Sequence, residues 1–185
     1  MERIADSSLR DIVKFLEIAG ILKLTQRTGW LDFVLNHPES VADHTFRTAF
    51  FSMVYSDMEG LDTLKMLRMA LIHDLPEAII GDLTPAQKTK ETKEKEEKAI
   101  KQILSFLPKI QREKYLEVWN EYQKEQTREA KAVRQLEKIE MALQAKEYEK
   151  QGTDRKNLER FIKSAEDATV WPDLKRLLSC IMEDK

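Results

Sequence analysis

The chain of 185 residues has one cysteine, five glycines and five prolines. Cys180 alone can form neither an internal disulfide nor a thiolate zinc cluster, and in LLSCIM it is expected as a small apolar core residue. Glycines that stand singly exclude a phosphate-cradling loop or a dinucleotide-binding turn. Strand signals are nearly absent, whereas Ala, Leu, Glu, Lys, Gln, Arg and Met are abundant, which favours helix throughout. Excess positive charge is missing too: 31 Lys and Arg against 33 Asp and Glu give a net charge of −2. That balance excludes the basic footprint of a protein that binds nucleic acid polymers. No apolar run approaches the ~18 residues of a membrane span. The start, MERIADSSLRD, is charged where a secretory peptide needs an apolar stretch. A soluble, cytoplasmic protein with no membrane partner is expected.

What is present is helical periodicity. The length suits one domain over residues 1–185 with one core. Helices are predicted at about 8–20, 39–58, 61–74, 92–107, 109–125, 127–150 and 173–182, punctuated by Pro38, Pro76, Pro85, Pro108 and Pro172. The fold class is therefore all-α. The run KTKETKEKEEKAIKQ from Lys88 alternates Lys with Glu, which sets up i,i+4 pairs on a solvated helix face. The preceding GDLTPAQ reads as a loop able to act as a lid.

Three of these helices place polar groups where apolar ones are expected. In 61–74, Leu64, Met66, Leu67, Met69, Ala70 and Leu71 define the apolar arc, and His73 and Asp74 fall inside it. Pro76 should break the helix there, so that two adjacent side chains aim at one point. In 127–150, Glu137, Glu140 and Gln144 run through the middle of an arc bracketed by Val133, Leu136, Ile139, Met141, Leu143 and Tyr148. Hydrogen bonding of Glu140 and Gln144 to other elements, with Glu137 paired to an arginine, accounts for that stripe equally well. Helix 39–58 is apolar nearly all round, with Phe46, Phe50, Phe51, Met53, Val54 and Tyr55, which marks it as central; His44 shares a face with Phe51 and Tyr55.

Buried imidazoles and carboxylates are costly unless paired, hydrogen-bonded or bound to metal. One divalent cation held by His44, His73, Asp74 and Glu137 would satisfy all four. Two imidazoles with two carboxylates suit Mn, Fe, Co or Zn; Mg prefers more oxygen ligands.

At these residues the chain resembles a known family. His44, the His73-Asp74 doublet and an acidic residue on a later helix, in that order, resemble the HD-domain metal-dependent phosphohydrolases. RTGW (27–30), PESVADH (38–44), ALIHDLPEAIIGDLTP (70–85), WNEY (119–122) and the stretch from VRQLEKIEM to QAKEYE (133–149) resemble its 5′-deoxynucleotidase branch. The likeness covers about residues 12–150 and leaves 151–185 as a C-terminal helical extension. It implies a single-domain HD-type helical bundle with the metal site between central helices. The implied reaction is hydrolysis of a 2′-deoxynucleoside 5′-monophosphate to deoxynucleoside and phosphate, by a homodimer. One position departs from the family pattern: Glu137 stands where relatives carry an aspartate, with Glu140 fixing the register and serving as the alternative ligand.

Under this resemblance Glu77, four residues after His73, orients or deprotonates the attacking water. Asp82 assists the leaving 5′-oxygen or contacts the sugar. Arg27 is the phosphate clamp, since a guanidinium binds two phosphoryl oxygens at once, and Trp30 contacts sugar or base or else is core. His37 has no assigned role, and Ser40 reads as a helix cap. Other HD-type hydrolysis, of a nucleoside triphosphate, cyclic nucleotide or guanosine polyphosphate, is the nearest alternative. A catalytically weakened HD-fold interaction protein is the second, motivated by Glu137.

Overall fold

The computed structural model describes residues 6–32 and 38–183; His37 lies outside them. The elements are α1 (Asp6–Ile21), α2 (Val41–Glu59), α3 (Thr63–Ile72), α4 (Glu77–Ile80), α5 (Lys90–Leu104), α6 (Lys109–Lys124), α7 (Arg128–Lys150), α8 (Arg155–Ala168) and α9 (Pro172–Glu183). Short 3-10 turns occupy Thr28–Trp30 and Pro85–Gln87. No strand occurs among the described residues, where a lone bridge joins Gln26 to Ser40.

Local chemistry sets the helix ends. The Ser40 hydroxyl accepts from the Asp43 amide while the Asp43 carboxylate accepts from the Ser40 amide, a reciprocal cap that starts α2. Gly60, left-handed at φ 64°, ends it. Asp62, Thr127 and Asp154 accept from backbone amides at the starts of α3, α7 and α8. As the sequence predicts, the helix before Pro76 breaks: α3 stops at Ile72, and His73 to Pro76 form a turn into α4.

α7 is the axis of the molecule, packing against α2, α3, α6, α8 and α9. Its Val133, Leu136 and Ile139 are fully buried with Met66, Met69 and Ala70 of α3 and Ile100, Ile103 and Leu104 of α5. Burial of each large aliphatic side chain stabilises the fold by about 1.5–3 kcal/mol. A second cluster gathers Trp30, Met141, Tyr148, Leu158, Phe161 and Ile162 between the 28–30 turn, α7 and α8.

α8 lies in 151–185, expected as a C-terminal helical extension in which the sequence predicts helix bounds only at 173–182. Three expectations are corrected. Cys180 is exposed on α9, since the buried residues of that helix are Leu174 and Leu178. α2 is central, as predicted, but its phenylalanines do not make it so. Its buried face is small and polar, with His44, Thr45, Thr48, Ser52 and Ser56, which lets α3 and α7 approach closely, while Phe46, Phe50 and Val54 face out. On α3 the inward face is Met66, Met69, Ala70 and Ile72; Leu64 and Leu71 are exposed.

Candidate metal centre and cavity

Three elements bring the predicted polar groups together. α2 carries His44, the turn after α3 carries His73 and Asp74, and α7 carries Glu137. The two histidines are almost fully buried, at 2% and 4% exposure. His44 Nδ1–H donates to Glu140 Oε2. His73 Nδ1–H donates to the Ala70 carbonyl at 2.6 Å. With both Nδ1 atoms committed, the two Nε2 atoms face each other at 3.4 Å. Asp74 Oδ2 lies 3.1 Å from His73 Nε2 and 3.9 Å from His44 Nε2.

Three electron-pair donors thus converge on one point inside the protein, and their nitrogen and oxygen chemistry fits a borderline divalent cation. Burial, then Arg27, lowers the His44 pKa and favours the neutral form. Burial alone would lower the His73 pKa, but Asp74 and Glu137 raise it above the ordinary value. Burial pushes the Asp74 carboxyl up, but His73 and Arg27 outweigh it and hold the group well below the carboxylate range.

Glu137 Oε2 sits 3.6 Å from His73 Nε2, at the edge of this group. The Tyr122 hydroxyl donates to the same oxygen. Arg134 Nη1 donates to Oε1 at 3.2 Å and Lys138 Nζ lies 3.4 Å from it. Burial opposes, but Lys138, Arg134 and His73 keep Glu137 ionised well below the usual range. Of the two readings of the α7 stripe, the pairing of Glu137 with an arginine is the one seen, while Glu137 also adjoins the histidine. Glu140 is fully buried and joins α2 to α7, accepting from His44 and, at 2.8 Å, from Arg47 Nε. Arg47 also donates to Gln144 and Glu147. A second group of donors, Glu39, His44 and Glu140, is also close enough to hold an ion, but it would have to draw on the Nδ1 that Glu140 already occupies.

Beside the centre lies a cavity of about 790 Å³ lined by Arg27, His44, Asp74, Glu77, Asp82, Glu137 and groups from α7 and α8. Arg27 Nη1 donates to Asp74 Oδ2 at 3.2 Å and lies 3.5 Å from Asp82 Oδ1. Burial works against its charge, but Asp74 and Asp82 raise the Arg27 pKa further, so it stays cationic. Asp82 accepts from the Thr28 amide at 2.5 Å, and its carbonyl accepts from the Thr28 hydroxyl at 2.8 Å. Glu77, at the start of α4, is 6% exposed, and its Oε2 has no hydrogen-bond partner. Burial, then Asp74 and Asp82, pushes its pKa up to about 10.

Trp30 borders the cavity but is 1% exposed; its indole N–H donates to Glu39 Oε1 at 2.9 Å and its ring lies 3.8 Å from that of Phe161. Four functional neighbours were not singled out from the sequence: Tyr122, Thr28, Lys88 and Phe161. Lys88, read with the solvated run, lines the cavity and pairs with Glu96 at 3.4 Å. A lysine just beyond the lid-like loop was the available signal. Tyr122 lies in WNEY, but only the packing of α6 on α7 shows its partner.

Residues 19–174 match a family model described as HD domain, which reaches past residue 150 through α8 into α9. The chain is 39% identical over 172 residues to 5′-deoxynucleotidase HDDC2 of Homo sapiens, covering 92% of this chain and 84% of that protein. It is 32% identical over 177 residues to 5′-deoxynucleotidase YGK1 of Saccharomyces cerevisiae, covering 92% and 81%. A solved structure of a conserved hypothetical protein from Pyrococcus furiosus is similar with a TM-score of 0.77 at 35% identity, covering 93% of this chain and 99% of that one.

Proposed function

The chain belongs to the HD domain family, and from that premise we propose that it is a metal-dependent 5′-deoxynucleotidase of the cytoplasm. Its substrate is a 2′-deoxynucleoside 5′-monophosphate, hydrolysed to deoxynucleoside and phosphate. Relatives that bear the name 5′-deoxynucleotidase support the substrate class. The observation that carries the metal-dependent reading is the facing of two buried Nε2 atoms at 3.4 Å beside Asp74. Neither a hydrophobic core nor an interaction surface has a use for that arrangement.

His44, His73, Asp74 and Glu137 hold the cation, and the mixed nitrogen and oxygen set suits Mn, Fe, Co or Zn better than Mg. When bound there, the ion supplies Lewis acidity, polarising a phosphoryl oxygen and lowering the pKa of water. Glu77 is the group for the attacking water. It lines the cavity and has one carboxyl oxygen without a hydrogen-bond partner; a cation held nearby would favour its carboxylate form, which would accept the water's proton. Arg27 is braced between Asp74 and Asp82 and brings a fixed cation to the phosphate, with Lys88 as a second positive group on the loop side. Asp82, anchored by the Thr28 amide, serves the leaving 5′-oxygen or the sugar. Trp30 borders the sugar and base end.

The partner is a second copy of the chain. Phe46, Phe50, Val54 and Met58 are 64%, 52%, 49% and 76% exposed at successive four-residue steps of α2, an apolar stripe on the side of the helix away from His44.

Phosphate release from a panel of deoxy- and ribonucleoside monophosphates, with Mn, Co, Zn or Mg and after chelation, tests the reading. Release from the deoxy substrates, lost on chelation and restored by one of these metals, is expected. No release with any metal overturns it.

A further inference from the structure

We infer that Tyr122 is a positioning residue of the proposed centre: with Arg134, itself held by Glu125, it fixes the carboxylate of Glu137 at the edge of the group formed by His44, His73 and Asp74. That role rests on the reading in which Glu137 helps to hold the cation. A glutamate projecting from a helix can turn about several staggered torsions, so it presents one oxygen to a fixed point only when other groups hold it there. Both oxygens of Glu137 are held. The Tyr122 hydroxyl donates to Oε2, the oxygen that lies 3.6 Å from His73 Nε2. Arg134 Nη1 donates to Oε1 at 3.2 Å. A carboxylate oxygen has more than one lone pair, so Oε2 can accept from Tyr122 and still offer electrons to a cation.

Tyr122 is itself fixed from several sides. It is 2% exposed, its ring stands edge-on to that of His73 with centres 5.6 Å apart, and the Arg134 guanidinium lies 4.3 Å from its ring centre. A phenylalanine would fill the same space; the hydroxyl is what distinguishes tyrosine here, and its bond goes to Glu137. Arg134 is set by a second carboxylate, since its Nε donates to Glu125 Oε1 at 2.9 Å. Glu125 closes α6 in the left-handed conformation at φ 50°, uncommon for a residue with a side chain, and from there its carboxylate reaches the guanidinium on α7. One guanidinium thus bridges two carboxylates through different nitrogens while covering an aromatic ring, a geometry that a lysine ammonium does not reproduce. The end of α6 is in this way the wall against which Glu137 is set.

Zinc titrated calorimetrically into the metal-free protein tests this without any turnover. Tyr122→Phe should weaken zinc binding about tenfold, the lower end of what losing an outer hydrogen bond to a metal ligand costs, and Arg134→Lys should weaken it by a similar or smaller factor. Both effects should shrink to within about twofold in Glu137→Ala, whose remaining donors, His44, His73 and Asp74, can be loaded at higher zinc concentration. A tyrosine that only packs would weaken binding by the same factor with and without Glu137. That equal loss overturns the role of Tyr122, as does parent-like zinc affinity in both Tyr122→Phe and Arg134→Lys when circular dichroism shows them folded. A centre in which Glu137 holds no cation gives a different result, parent-like zinc affinity in Glu137→Ala itself, which removes the ligand reading and the positioning role with it.

Discussion

In the proposed site Glu140 acts on the metal through His44. Its carboxylate accepts a hydrogen bond from His44 Nδ1–H and leaves the Nε2 lone pair free to bind metal, a tautomer that a glutamine oxygen would enforce less strongly. Glu140→Gln should weaken metal binding about 10–100-fold, read by calorimetric titration, with helix content unchanged. Glu137→Ala should lose metal and reduce phosphate release by about 100-fold or more. Glu137→Asp should stay within about tenfold of the parent, because Tyr122, Arg134 and Lys138 can hold a shorter carboxylate near the same place. Parent-like metal content and rate in Glu137→Ala would remove Glu137 from the ligand set. The positions of His44, His73, Asp74 and Glu137 were legible because each breaks an apolar arc. Their partners were not, since no spacing in one dimension pairs Glu140 with a histidine 96 positions away or Tyr122 with a helix of its own.

Among the elements, the missed α8 had a readable signal: Asp154 as N-cap, then Leu158, Phe161, Ile162 and Ala165 at helical spacing, all buried. The family resemblance legible in the sequence covers about 12–150 and stops short of it. What no sequence reading supplies is the contact of α8 with the 28–30 turn across more than a hundred residues. The tightest point of that contact is Gly29. A methyl group there would press on a ring that Trp30 and α8 prevent from moving, and overpacking of this kind costs about 1–3 kcal/mol. Gly29→Ala should therefore lower the thermal midpoint and raise KM by displacing Arg27. Phe161→Leu in the same chain should recover part of both losses; purely additive effects of the two changes would show that the ring is not what Gly29 accommodates.

For the whole molecule, the two faces of α2 divide the work. One face gives His44 to the centre and packs small polar side chains against α3 and α7; the other presents Phe46, Phe50, Val54 and Met58. No described helix is long and apolar enough to cross a membrane. In the proposed pair, the ridge of four-residue steps would pack into the matching groove of its own copy across a two-fold axis, with the helices crossing at about −50°. Burying both copies of Phe46 and Phe50 would contribute on the order of 1.5–3 kcal/mol for each ring, enough to make pairing depend on these positions. Light scattering after gel filtration should give twice the chain mass for the parent and the single mass for Phe46→Glu with Phe50→Glu. Because Phe46 and Phe50 lie across the helix from His44, the single copies should still bind metal and release phosphate at near-parent rates. A parent that runs as a single copy would leave the stripe without this partner. Loss of metal binding on conversion to single copies would show instead that pairing holds α2, and with it His44, in place.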